Sequence, residues 1–151
     1  MPRLSNLLLL FIVGLLTFSC QDKNNPDPQT TQVKSEILIR NQWRMKDVTD
    51  TNGKSIPQNQ LSFETTAIYL FDIQFFENNV TKAIDRVSKQ VVNGGTWYLI
   101  DGEQTLDIEV SQFKGKFGLK ELTSSRMVLV NSVPVNGVSQ QANLVFEAVI
   151  Q

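Results

Sequence analysis

The chain contains no histidine, and its single cysteine is Cys20. Those two absences exclude Ser-His-Asp and Cys-His catalysis, zinc centres built on histidine or several cysteines, internal disulfides and cysteine-ligated clusters. Neither sign of charge is in excess. Lys and Arg number 14 against 15 for Asp and Glu, a formal net charge of −1. No basic surplus points to nucleic acid, and no acidic surplus marks a disordered tail. The one long hydrophobic run, Leu7 to Leu16, is interrupted only by Gly14 and is about half the roughly twenty residues of a spanning helix. What remains is 151 residues with 41% hydrophobic content, enough for one core-bearing domain.

Residues 1–20, MPRLSNLLLLFIVGLLTFSC, have the layout of a secretory signal: Arg3, then the apolar run, then Thr17, Phe18 and Ser19. Cys20 follows the small residue Ser19 directly. This resembles the bacterial lipoprotein signal, which implies cleavage after residue 19, lipidation of Cys20 and attachment to the membrane of a bacterial envelope, expected to be the outer membrane. Removing nineteen of 151 residues leaves 132, with no free thiol. Several acyl chains anchor stably, because each buried methylene contributes ~0.8 kcal/mol. Residues 21–36, QDKNNPDPQTTQVKSE, hold two of the five prolines and one apolar residue, Val33. With residue 20 they read as an extended, flexible tether that reaches up to about 50 Å from the membrane.

From residue 37 to 151 the dominant period is two, the signature of strands. In Ala67 to Phe76, Tyr69, Phe71, Ile73 and Phe75 share a face opposite Leu70, Asp72 and Gln74. Leu106, Ile108 and Val110 alternate with Asp107 and Glu109, and Ala142, Leu144, Phe146, Ala148 and Ile150 share a face of the last strand. Trp43 and Met45 alternate with Arg44 and Lys46 in the first. Asn52-Gly53, the ENN of 77–79, Asp101-Gly102, Ser124-Ser125 and the PVNG of 134–137 punctuate the run as turns, and Gly94-Gly95 predicts a bulge or sharp bend. Residues 35–41 fit a short helix closing one end. About eight strands with hairpin links predict an all-β, antiparallel, up-and-down barrel, with a sandwich as the alternative.

Three segments carry a resemblance: Leu38 to Trp43 with the Asp50 to Gly53 turn, GGTWYLIDGEQTLDI at 94–108, and LKELTSSRMVLV at 119–130. Over roughly residues 36–150 the layout resembles the small lipocalin-like lipoproteins of Bacteroidota. The resemblance implies an eight-stranded lipocalin-like barrel behind a lipoprotein signal, with no assigned activity.

Trp43, Phe71, Phe75, Trp97 and Phe146 are the large aromatics expected to point inward. An eight-stranded barrel either fills with side chains or holds one small ligand, so these five either line a pocket for a small apolar molecule or pack a solid core. The resemblance favours the pocket, so the expected function is non-catalytic binding of a small apolar ligand; the alternative is a solid barrel that serves as an interaction module for an envelope protein. Catalysis ranks below both. The carboxylates Asp101, Glu103, Asp107 and Glu109 read as turn and solvent-facing residues rather than a hydrolytic pair. DVTDTNGKS at 47–55 offers Asp50 and Asn52 before Gly53, but Val48 and Asn59 fall on the first and twelfth positions of a calcium loop, so it reads as a hairpin turn. No cofactor, metal or nucleic-acid partner is expected.

Overall fold

The computed structural model describes residues 28–150, with side chains from Lys34 onward. Helix α1 (Pro28–Arg40) leads into strand β1 (Gln42–Thr49). A connection follows that holds a 3-10 turn (Gln58–Gln60), helix α2 (Phe63–Ala67) and a second 3-10 turn (Ile68–Leu70). Seven more strands complete the chain: β2 (Phe71–Phe75), β3 (Val80–Asp85), β4 (Val91–Ile100), β5 (Thr105–Val110), β6 (Phe113–Leu122), β7 (Arg126–Val135) and β8 (Val138–Val149). Each pairs antiparallel with its neighbour in sequence, and β8 pairs with β1 to close the barrel. Closure leaves few free edges, which is how an all-antiparallel sheet avoids uncontrolled pairing.

The turns form where the sequence supplies the required backbone. Asn136 and Gly137 both take positive φ and join β7 to β8 as a two-residue hairpin. Asp50 Oδ1 accepts from the Asn52 and Lys54 amides, which makes 50–54 the expected turn. The irregularity expected at Gly94-Gly95 lies close by: the β3–β4 register shifts between Ala83 and Ile84, leaving Val92 unmatched.

Three boundaries differ from the sequence reading. The helix expected at 35–41 starts at Pro28, so the tether's last residues are helical, and Lys34 Nζ donates to the Glu103 carbonyl at 2.9 Å. The strand expected from Ala67 starts at Phe71. Ser62 caps a helix instead, its hydroxyl accepting from Thr65 N, and α2 and the second 3-10 turn occupy 63–70. Ile150, expected on the inward face, lies beyond β8 and is exposed.

The core runs the length of the barrel. Trp43, Met45, Ile73, Phe75, Leu106, Ile108, Phe113, Met127, Leu129, Leu144 and Phe146 are all at most 2% exposed. Helix α1 covers one end, with Leu38 fully buried and Ile37 and Ile39 packed against the cluster. Trp43 Nε1 donates to the Leu38 carbonyl at 2.9 Å and Asn41 Nδ2 to the Ser124 carbonyl at 3.0 Å, pinning the helix to β1 and to the β6–β7 turn. The β1–β2 connection covers the far end through Ile56, Leu61 and Ile68. Among the described residues no helix is long and apolar enough to cross a membrane.

Candidate functional site

The five aromatics singled out in the sequence all join the core, but they do not converge on one space. Trp43, Phe75 and Trp97 sit toward the α1 end. Phe75 and Trp97 meet edge to face, with ring centroids 5.4 Å apart. Trp97 Nε1 donates to the Phe76 carbonyl at 3.0 Å, and Asn79 Nδ2 donates to the Trp97 carbonyl at 3.0 Å. Both indole N–H groups are thus spent on the domain's own backbone, that of Trp43 on helix α1 and that of Trp97 on the β2–β3 turn, the usual requirement for a buried tryptophan. Phe146 lies mid-barrel, its ring 5.5 Å from that of Phe113. Phe71, at the far end, is half-buried. Cys20 lies outside the described residues.

Phe113 is the core aromatic that sequence reasoning missed. It is 1% exposed and packs on both Phe117 and Phe146. The signal was its spacing: Phe113 and Phe117 lie four apart, an even separation that places both on one face of a strand.

Space accessible to a ligand lies at the barrel's ends and seams. Between β6, β7 and α2 is a cleft of about 240 Å³, reaching Phe117, Val133 and Leu144 at its floor and bordered by Glu64, Lys114 and Asn131. At the opposite end two grooves run beside α1, one between Ile39, Glu77, Asn79 and Trp97 and the other along Phe75 and Phe76. A fourth hollow, of about 390 Å³, opens where β4 leaves β5.

The outer wall carries the one carboxylate that is buried among the described residues. Asp72 points away from the core, as its place opposite Ile73 predicts, but it is only 1% exposed. Arg44 grips it in a fork, with Nε to Oδ1 and Nη2 to Oδ2 both 2.8 Å. Arg86 Nε stands 3.3 Å from Oδ1, and Lys89 Nζ 3.9 Å from Oδ2. Arg86 also donates to the Phe71 and Met45 carbonyls, the second beside the bulge in β1. The hydrogen bonds to Asp72 hold the Arg44 guanidinium above its ordinary pKa, whereas burial pushes that of Arg86 down against the pull of Asp72. Burial, followed by the nearby Asp47 carboxylate, raises the Tyr69 phenol. This cluster ties β1, β2 and the β3–β4 turn together and leaves no oxygen of Asp72 aimed at open space.

The carboxylates considered from sequence are dispersed along β5 and its turn. Asp107 and Glu109 stand across from Lys116 and Lys114 on β6, on the solvent side. Among the described residues no group of three or more acidic, histidine or cysteine side chains is placed to hold a metal ion. Every buried side-chain polar atom among them has a hydrogen-bond partner.

Compared with known proteins, the chain matches no family model and no curated sequence.

Exposed large apolar side chains are concentrated at the far end. Phe63 on α2, Leu70, Val87 in the β3–β4 turn, Val91 and Val92 at the start of β4 and Val138 at the start of β8 all lie there. Only Tyr98 and Ile150 of this class lie elsewhere among the described residues. The α1 end is the one from which the chain leads back toward Cys20.

Proposed function

We propose that the protein is a non-catalytic lipoprotein of the bacterial envelope, lipocalin-like in build, anchored through Cys20 to the outer membrane. Its solid barrel works as a protein–protein interaction module. The observation that carries the module reading is the interior: inward side chains from all eight strands pack on one another, and both barrel ends are covered. The anchoring reading rests on the run Leu7–Leu16 followed by Ser19-Cys20. The far end, with its cluster of exposed apolar side chains, faces away from the anchored end and is the surface offered to partners.

A carrier reading, with a small apolar ligand, draws on one feature: the cleft between β6, β7 and α2, whose floor reaches the core residues Phe117 and Leu144. Native mass spectrometry of the protein purified from its own host separates the two. The module reading expects no retained lipid, and no response of Trp43 and Trp97 fluorescence to fatty acids, sterols or tetrapyrroles. A stoichiometric small molecule in the spectrum overturns it. For the anchor, Cys20→Ala is expected to abolish palmitate labelling and to move the protein out of the membrane fraction. Membrane association that persists in the variant, with no label in the parent, defeats the lipoprotein reading.

A further inference from the structure

At its far end the barrel leaves four strand edges without a partner strand: β1 beyond Arg44 on its β2 side, β8 before Asn143 on its β1 side, β7 beyond Val130 on its β6 side and β4 before Thr96 on its β5 side. Between β6 and β7 pairing runs only from Gly118–Val130 to Leu122–Met127, so Asn131–Val135 of β7 face no partner on β6. That seam is guarded. Leu61 bridges to Val135, the Asn136 amide donates to the Gln60 carbonyl at 2.7 Å, and Pro134 removes a donor from the edge.

Between β4 and β5 pairing starts only at Thr96–Glu109. Val91–Gly95 pair with β3 on one side, and among the described residues no strand pairs with them on the other. This edge is guarded less: Val-Val-Asn-Gly-Gly carries no charge and no proline, and only the bulge at Val92 interrupts it. Gly95 marks where the strands part. It passes so close to the Glu109 carbonyl that a Cβ would overlap it. Just beyond, the Gly94 amide donates to Asn93 Oδ1 at 2.8 Å, a local partner in place of a neighbouring strand. The hollow of about 390 Å³ lined by Asn93–Thr96, Glu109–Ser111 and Lys114 occupies the place beside this edge.

We propose that the β4 edge Val91–Gly95 is a docking strand that binds an extended, uncharged, β-branched segment of a partner protein by adding it to the sheet. This deepens the interaction-module reading and rests on it. Backbone pairing along about 17 Å of strand supplies the contact, and the half-exposed Val91 and Val92 favour an apolar, β-branched neighbour. A second copy of this chain is the disfavoured occupant. Antiparallel pairing of the edge with itself relates the barrels by a two-fold axis perpendicular to the sheet, which points their α1 ends in opposite directions. Two copies anchored through that end in one membrane do not meet in this way.

The test uses the full chain in detergent micelles, with amide hydrogen exchange read residue by residue. The probes are a capped seven-residue peptide of alternating threonine and valine and a same-length peptide with proline at every second position. The threonine-valine peptide is expected to slow exchange within 91–95 by about tenfold or more, and the proline peptide to leave it unchanged. Val92→Lys is expected to weaken binding about tenfold with the melting temperature kept, since Val92 is half-exposed. Val138→Lys, exposed elsewhere on the same end, is expected to bind as the parent does. Equal binding of both peptides, protection mapped elsewhere, or no protection overturns the proposal. So does self-association that protects 91–95 without peptide. A retained lipid in native mass spectrometry defeats the module reading and leaves the exchange result to stand or fall separately.

Discussion

Asp72 illustrates how far a face assignment carries at the scale of one residue. Alternation with Phe71 and Ile73 places it correctly on the outer face, and an outer face ordinarily means water. Here the β3–β4 turn folds back, and Arg86 and Lys89 cover the carboxylate, which period-two reasoning along β2 does not reveal. Asp72→Ala leaves Arg86, itself largely buried, without its counter-charge. We expect a loss of about 2–4 kcal/mol in urea unfolding, at the lower side because Arg44 is partly solvated. Asp85, in the same turn, accepts from the Ser88 and Val87 amides and the Ser88 hydroxyl; the Ser88 amide contributes most to holding its carboxyl below the ordinary value. A carboxyl depressed in the folded state adds stability above its unfolded pKa of about 4, and that stability is lost as pH falls through the folded value. The stability gap between parent and Asp85→Asn is therefore expected to be full at pH 6 and to shrink below about pH 4. A gap that widens on acidification refutes this assignment. Gly95 belongs at this scale too. Gly95→Ala forces β4 away from Glu109, and a loss of about 1–3 kcal/mol by thermal unfolding is expected.

Among the elements, the legible strands are those whose alternation is uninterrupted. β5 and β8 follow directly from Leu106-Ile108-Val110 and Ala142-Leu144-Phe146, and the Asn136-Gly137 hairpin from its own residues. The β1–β2 connection was legible only in part. Aromatic and β-branched residues from Ala67 to Phe76 form a continuous strand-like signal, yet Ser62 supplies a helix cap just upstream, and the local cap wins as far as Leu70. Val87 continues the apolar residues of β3 in sequence but sits exposed in a turn, because Asp85 and Ser88 close the chain there. Helix α1 was anticipated at its core-facing end, where Leu38 lies, but not back to Pro28, since residues 28–36 lack apolar periodicity. Trp43 holds that helix by its indole N–H. Trp43→Phe preserves most of the ring volume and orphans the Leu38 carbonyl, at an expected cost of about 1–3 kcal/mol. Hydrogen exchange should rise across 34–40 more than in β5 or β6. Uniform loss of protection would mean that the hydrogen bond does not specifically hold the helix.

For the whole molecule, closure joins the two ends of the domain: Gln42–Thr49 of β1 pair with Asn143–Val149 of β8. Eight strands and a short terminal helix were enough to anticipate a barrel, but whether it is filled or hollow depends on how side chains interdigitate in three dimensions. The candidate residues show the limit. Trp43, Phe71, Phe75, Trp97 and Phe146 were legible as inward-facing, whereas their spread along the barrel axis follows from strand register, which alternation alone does not fix. Phe146 tests the filled interior directly. It is fully buried between Met45 of β1 and Met127 of β7, with Phe113 against its ring. In a solid barrel, Phe146→Ala loses the transfer free energy of the ring and leaves a cavity, together about 3–5 kcal/mol. Such a cavity stays dry and accepts a small apolar guest, so benzene is expected to raise the variant's melting temperature and leave the parent's unchanged. A loss near about 1.5–3 kcal/mol, the transfer contribution alone, or equal benzene stabilisation of both proteins, would mean that space already exists beside the ring. The carrier reading would then displace the interaction module.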